Sequence, residues 1–145
     1  MPTSRIRSLH PRDFEVNHTW LAFRINQRPV AWAEGQFDIF VLQDAASMFL
    51  FGTAFAPHGE ECPPAKDATR LLNKAWSSRQ EWPVEILLVG KPSSKNAFAS
   101  AARQHGISVR AVAEARASFY IKDVQASFEE YAGPGDADNL SPPEL

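Results

Sequence analysis

Hydrophobic and polar positions alternate with period two through the first third of the chain. In "NHTWLAFRIN", which begins at Asn17, Leu21, Phe23 and Ile25 face one side and the intervening residues face the other. This alternation is typical of a half-buried strand. The segments "FDIFVLQD" and "SMFLFGTAFA" are rich in β-branched and aromatic residues and are joined by a short polar link. They predict an antiparallel hairpin.

Helical periodicity appears in the rest of the chain. "AKDATRLLNKAWSSRQ" has apolar residues at spacings of three and four, which predicts an amphipathic helix. "PVEILLVG" is short and almost wholly apolar, as expected of a strand covered on both faces. "SSKNAFASAARQHG" predicts a helix capped by a serine and ended at Gly106. "ISVRAVA" predicts another strand, and "ASFYIKDVQASFEEYAG" predicts a last helix that stops at Gly133.

The predicted element order is three strands, helix, strand, helix, strand, helix. Three consecutive strands form a meander, and the later strand-helix-strand crossover should be parallel and right-handed. The expected fold class is therefore α/β, with a mixed five-stranded sheet made of a three-strand antiparallel meander plus two parallel strands and flanked by helices. The segment Gln27–Gly35, interrupted by Pro29, stays open between a helical turn and a further piece of strand.

Length and composition indicate one globular domain. The chain has 145 residues, of which 44% are hydrophobic and 22% are charged, close to globular averages. We expect an N-terminal extension over residues 1–17, a single domain over 18–132 and a disordered acidic tail over 133–145. Cys62 is the only cysteine, so neither an intramolecular disulfide nor a zinc-thiolate cluster is expected. No membrane span or signal peptide is apparent, which predicts a cytoplasmic protein.

Two stretches of sequence resemble a known family. "FDIFVLQDAASMFLFG" is similar to the second and third strands of the retroviral integrase core, where an Asp-x-x-Ser turn joins them, and Asp44 and Ser47 occupy those places. "WPVEILLVGKPSSKNAFASAARQHGI" resembles the integrase stretch in which proline precedes a strand, Asp-Asn-Gly ends it and a helix leads to Gly-Ile. Together with the element order, these motifs resemble the ribonuclease H-like fold of ribonuclease H, retroviral integrases and many transposases.

A second resemblance is to small bacterial domains of unknown function that lack the catalytic acids. They share a first strand led by Trp, a proline before the fourth strand and a fifth strand that reads Gly-Ile-x-Val. Trp20, Pro83 and "GISV" match these features.

The resemblance to ribonuclease H-like enzymes implies where catalytic acids would lie. Active members hold two metal ions with carboxylates on the first strand, at the end of the fourth strand and on the last helix. In this chain the first strand has Phe23 and no acid in its middle, and the fourth strand ends at Gly90, followed by Lys91. We therefore expect a non-catalytic domain with no metal and no cofactor, which acts by self-association or by binding a protein partner.

The alternative is a degenerate metal-dependent nuclease or transposase-like enzyme that uses Glu34, Asp44 and Glu114. Each of these acids also has a structural interpretation. Asp44 is placed to bond its own turn, and Glu114 precedes a helix, whose dipole favours an acid there.

Two short loop motifs suggest binding of an anion or a metal. Lys91, Ser93 and Ser94 are placed to hold an anion at the start of a helix, although serines there also act as caps. "HGEEC" contains ligand types for a metal but no second cluster, which favours a solvated loop. The Walker pattern is absent.

A basic helix face is a further candidate for binding. Lys66, Arg70 and Lys74 recur every four residues, so they align on one face, and nucleic acid is a candidate partner for it. A solvated surface is the competing interpretation. The net charge of −2 combines an acidic end, which has five acids from Glu129 onward, with a mildly basic body.

Overall fold

A six-stranded mixed sheet forms the frame of the molecule. The structure is a computed structural model that describes residues 8–132. Its strands are β1 (Thr19–Arg24), β2 (Val30–Trp32), β3 (Gly35–Asp44), β4 (Leu50–Pro57), β5 (Glu85–Val89) and β6 (Ser108–Val112).

Three α-helices flank the sheet, together with two short 3-10 helices at Pro11–Asp13 and Glu114–Ala117. Between residues 8 and 132, no helix combines the length and apolar character that crossing a membrane would require. The α-helices are α1 (Ala65–Arg79), α2 (Ala97–Gln104) and α3 (Ser118–Ala132).

The strands lie in the order β4-β3-β1-β5-β6. The first three of these pair antiparallel, whereas β1 pairs with β5 and β5 with β6 in parallel. The predicted α/β class, the antiparallel meander and the two added parallel strands are therefore confirmed. The predicted strand number is wrong, because a sixth strand, β2, is present.

The sixth strand comes from the segment whose conformation the sequence left open. Val30–Trp32 folds back on the beginning of β3 through a two-residue turn, with Trp32 opposite Gly35. The strand has only three residues, and Pro29 and Gly35 interrupt the alternation on either side. A pattern this short carries no usable periodicity.

The central strand β1 is covered on both faces. Trp20 and Ala22 lie in a core beneath α1 and α2, whereas Leu21 and Phe23 lie in a second core beneath α3. The predicted half-buried strand is wrong, since residues 19–23 are all buried. Helices pack on both faces of β1, so neither face is in contact with water.

Close packing of α1 on β4 depends on a glycine. A Cβ placed on Gly52 would lie 2.9 Å from Leu71 Cδ1 and 3.3 Å from the Lys74 side chain. Distances this short require the helix side chains to move. The missing side chain at Gly52 therefore sets how closely α1 lies against the sheet.

The described residues ahead of β1 are tied to the domain. Leu9 is buried, and its N–H donates to the Arg116 carbonyl at 2.8 Å. The Asn17 N–H donates to Asp44 Oδ1 at 2.7 Å, and Asn17 Oδ1 accepts from the Trp20 indole at 2.8 Å. The predicted acidic tail, 133–145, lies outside the described residues.

Helix α2 is capped by Asn96 and not by a serine. Asn96 Oδ1 accepts from the N–H groups of Phe98 and Ala99 at 2.9 and 3.2 Å. Ser93 and Ser94 lie in the preceding turn. The predicted serine cap is wrong, because the helix begins two to three residues later than a cap at Ser94 or Ser93 would place it.

Replacing the cap should destabilise the fold. We expect Asn96→Ala to lower the free energy of unfolding by about 1 to 2 kcal/mol, because two helix N–H groups lose their acceptor. Ser94→Ala, at an exposed position outside the helix, should change it by less than about 0.5 kcal/mol. Urea unfolding of both variants measures this. Equal losses would contradict the assignment of the cap to Asn96.

Candidate functional site

A pocket of about 190 Å³ opens at the carboxyl ends of β1 and β5. Ligands of open α/β sheets bind at this edge. Ala22, Phe40, Leu88 and Phe98 form an apolar wall and belong to the core beneath α1 and α2.

The two positions that the family resemblance assigns to metal-binding acids both line this pocket. Phe23 is 1% exposed, and its side chain packs in the core beneath α3. Gly90 lies at the end of β5, where its N–H donates to the Val112 carbonyl at 2.8 Å. Neither residue has an oxygen ligand on its side chain.

The backbone at Gly90 is unsuited to an aspartate. Its φ is +116°, a conformation that L side chains rarely adopt. A Cβ added there would meet nothing within 4 Å. Backbone conformation, and not lack of space, is therefore what disfavours an acid at this position.

Three glutamates lie at the pocket and come from two connections. Glu60 and Glu61 follow β4, and Glu114 follows β6. The "HGEEC" loop thus contributes to the pocket wall, which its sequence did not indicate. Its partners lie 32 and 35 residues further along the chain, a separation at which no local pattern operates.

Glu61 occupies the start of α2. Its Oε2 accepts from the Ser93 N–H at 2.8 Å and from Asn96 Nδ2 at 2.9 Å. These hydrogen bonds from Ser93 and Asn96 favour the charged form and lower the pKa of the Glu61 carboxyl below its ordinary value.

The anion site predicted from Lys91, Ser93 and Ser94 lies at this same turn. The Ser93 N–H donates to Glu61, and Ser93 Oγ accepts from the Lys95 N–H at 3.1 Å. Lys91 lines the pocket and is exposed, and Ser94 is exposed beside it. The chain's own carboxylate therefore sits where a bound anion was predicted.

A buried carboxylate lies next to the pocket residue Arg24. Asp38 is 1% exposed and accepts from Asn26 Nδ2 at 2.9 Å, and His58 Nδ1 lies 3.1 Å from its Oδ1. The Gly59 N–H also donates to it, and Arg24 lies 3.8 Å away. Burial alone would raise the pKa of Asp38, but these hydrogen bonds and the Arg24 charge hold it below its ordinary value.

Asp44 lies at the other end of the sheet from the pocket. It pairs with Trp20, near the start of β1, about 10 Å along the strand from Phe23. Its buried carboxylate accepts from the N–H and hydroxyl of Ser47, both at 2.7 Å, and from the Asn17 N–H. These bonds organise the turn between β3 and β4.

The three acids of the enzyme alternative are not brought together. Glu34 is exposed in the two-residue turn between β2 and β3, Asp44 lies at the amino end of β1, and Glu114 lies at the pocket. Among residues 8–132, no three His, Cys, Asp or Glu side chains are grouped closely enough to hold a metal ion.

The basic residues of α1 lie outside the pocket. Lys66, Arg70 and Lys74 are all exposed. Arg70 Nε lies 3.6 Å from Asp67 Oδ1 on the same helix. The helix therefore presents a cationic surface on the side of the sheet that carries α1 and α2.

The solved structures that are similar to this chain include an intasome and an integrase core domain. One is the simian T-cell lymphotropic virus intasome, determined by cryo-electron microscopy in complex with PP2A regulatory subunit B56 gamma. It has a TM-score of 0.51 and 17% identity, covering 97% of this chain and 48% of that chain. This chain thus spans about half the length of the intasome chain.

The second is the HTLV-2 integrase catalytic core domain in complex with magnesium, in a dimeric form. It has a TM-score of 0.47 and 16% identity, covering 92% of this chain and 82% of that chain. No protein-family model matches the sequence, and no curated protein matches it.

The fold is ribonuclease H-like. The strand order, with its antiparallel meander and two parallel strands, is the one that the sequence resemblance implied, and the intasome match extends over 97% of the chain. At 17% identity this likeness concerns the fold alone. Phe23 and Gly90, the two positions that the resemblance assigns to metal-binding acids, both line the pocket, although the Phe23 side chain points to the core beneath α3.

Removing the Glu61 carboxylate should loosen the pocket wall. We expect Glu61→Ala to lower the free energy of unfolding at pH 7 by about 1 kcal/mol, a value reduced because solvent screens an exposed carboxylate. Glu60→Ala is the matched control and should have a smaller effect. Denaturant unfolding measures both, and equal effects would contradict the special role of Glu61.

The difference in unfolding free energy between the unmodified protein and Glu61→Ala should depend on pH, and the direction of that dependence follows from the pKa of Glu61. Because the folded-state pKa of Glu61 is lowered, its contribution is complete above the ordinary glutamate pKa of about 4.3. The contribution is lost as the pH falls through the folded-state value. The stability gap between the unmodified protein and Glu61→Ala should therefore close in acid, and a gap that is constant with pH would contradict this assignment.

Proposed function

We propose that this ribonuclease H-like domain acts by binding a second copy of itself or another protein, and that it does not catalyse metal-dependent phosphoryl transfer. The observation that carries the proposal is the pair of residues at the metal-binding positions, namely a buried phenylalanine, Phe23, and a glycine, Gly90, with φ +116°.

Two-metal catalysis has strict requirements. Two divalent cations about 3.5 to 4 Å apart must be held by several carboxylates. Of the three glutamates at the pocket, Glu61 is already hydrogen-bonded to Ser93 and Asn96. Only Glu60 and Glu114 remain, and they come from separate connections. This set is too small for a pair of ions.

The exposed apolar residues support a binding role. Within residues 8–128, four large apolar residues are exposed, and each lies next to a residue that is hydrogen-bonded at the amino end of β1. Val16 precedes Asn17, Val84 donates to the His18 carbonyl, Phe49 accepts from the Asp44 N–H, and Phe119 precedes Tyr120, whose hydroxyl donates to Ala45. Exposed apolar side chains toward one end of the sheet offer surface for an interaction partner. We call this set the apolar end; its residues are Val16, Phe49, Val84 and Phe119.

A second candidate function is nucleic-acid binding through α1. The exposed cations Lys66, Arg70 and Lys74 favour it. Phosphate contacts would make such binding fall steeply with salt. Incubation with labelled nucleic acid reports binding and cleavage as two distinct signals. One experiment therefore tests both the α1 candidate and the non-catalytic assignment.

Labelled DNA and RNA should remain uncut when incubated with the protein and Mg²⁺ or Mn²⁺. Cleavage that disappears in Glu114→Ala would overturn the non-catalytic assignment. If nucleic acid binds, the α1 candidate requires weakening in Arg70→Ala but not in Arg103→Ala, an exposed cation on α2. Equal affinity of the two variants would remove that candidate.

Self-association should appear in light scattering as a mass above 16.1 kDa that rises with protein concentration. The double variant Phe49→Ser/Val84→Ser should reduce it, because burial of exposed apolar side chains is the driving force. Ala113→Ser, an exposed residue after β6, is the control. A strict monomer at high concentration would contradict self-association and leave a different protein as the partner.

A further inference from the structure

The pocket is too small for most cofactors. Its volume of about 190 Å³ compares with about 300 to 1,000 Å³ for ordinary small-molecule sites. A space of this size suits one long amino-acid side chain. A nucleotide would not be enclosed by it.

The inner wall of the pocket suits an aliphatic chain. Ala22, Phe40, Leu88 and Phe98 are each 5% exposed or less, and all four line the pocket. Methylene groups that enter would replace water against these surfaces, which favours binding. A long cationic side chain can place its methylene groups on such a wall and keep its charged head in water.

The charges around the pocket favour a cation. Glu60 and Glu114 are exposed there, and the third carboxylate, Glu61, is held in its charged form by its hydrogen bonds. Of the two lining cations, Arg24 lies 3.8 Å from the buried Asp38 carboxylate, which leaves Lys91 as the opposing charge. Negative charge therefore exceeds positive charge at the opening.

We infer that this pocket binds the side chain of a lysine or arginine presented by a partner protein. The inference rests on the proposed function, since a pocket that holds a side chain of another protein would serve a binding role. The stem contacts the apolar wall, and the ammonium or guanidinium meets Glu60 and Glu114.

The test uses N-acetyl amides of lysine, arginine and norleucine as probes of the intact chain. Norleucine has the apolar stem of lysine without its charge. In NMR titrations, the backbone amides of Lys91, Asn96 and Glu114 should shift saturably with the two cationic probes. The norleucine probe should bind at least about tenfold more weakly.

Charge variants should change the affinity in opposite directions. Glu60→Lys/Glu114→Lys should abolish the shifts, and Lys91→Glu should strengthen binding by about two- to fivefold, as expected of exposed charges. Glu81→Lys, at an exposed position in the connection between α1 and β5, is the control and should leave the affinity unchanged. The expected gain in Lys91→Glu cannot arise from misfolding.

Several outcomes would overturn the inference. These are no saturable shift with either cationic probe, equal binding of norleucine, or insensitivity to the charge variants. Saturable shifts of the same amides with Mg²⁺ alone would identify a metal site instead. Without nucleic-acid cleavage, a failure of the probes overturns only this pocket assignment. Metal-dependent cleavage overturns the proposed function itself.

Discussion

The structure depends on the pairing of β1 with two neighbours of opposite direction. β3 runs antiparallel along one edge of β1, and β5 runs parallel along the other. Helices cover both faces, so Trp20 and Leu21 are each 0% exposed although they point to opposite sides. Strand hydrogen bonds and two apolar cores therefore converge on these few residues. The pocket exists because β1 and β5 end together beneath the connections that follow β4 and β6.

The side chains at that edge differ from the carboxylates that a two-metal site requires. A catalytic aspartate at the end of β5 would need a backbone that Gly90, with φ +116°, does not offer. Phe23 instead adds its ring to the core beneath α3. Gly90 and Phe23 therefore offer no oxygen ligand to a metal ion. Gly90 forms part of a turn, and Phe23 packs in the core. The proposed binding role rests on this arrangement.

Electrostatics at the pocket are set largely by groups that the chain supplies to itself. Glu61 takes up the Ser93 N–H and the Asn96 amide at the start of α2, a position where anions are generally stabilised. Asp38 lies 3.8 Å from Arg24 and offsets that cation. Because Arg24 is offset by Asp38, the three lining glutamates outnumber the other lining cation, Lys91, and the opening is negatively charged.

The sequence by itself determined the three α-helices, every strand except β2, the meander and the parallel crossover, because periodicity and right-handed connection are local or nearly local constraints. Only the tertiary structure decided that β1 is buried on both faces, since alternation says which side a residue faces and not what covers it. The same holds for the contact between Glu61 and Asn96, which are 35 residues apart. It also holds for the separation of Asp44 from Glu114. Such contacts depend on how loops meet at a sheet edge, and no spacing along the chain encodes that.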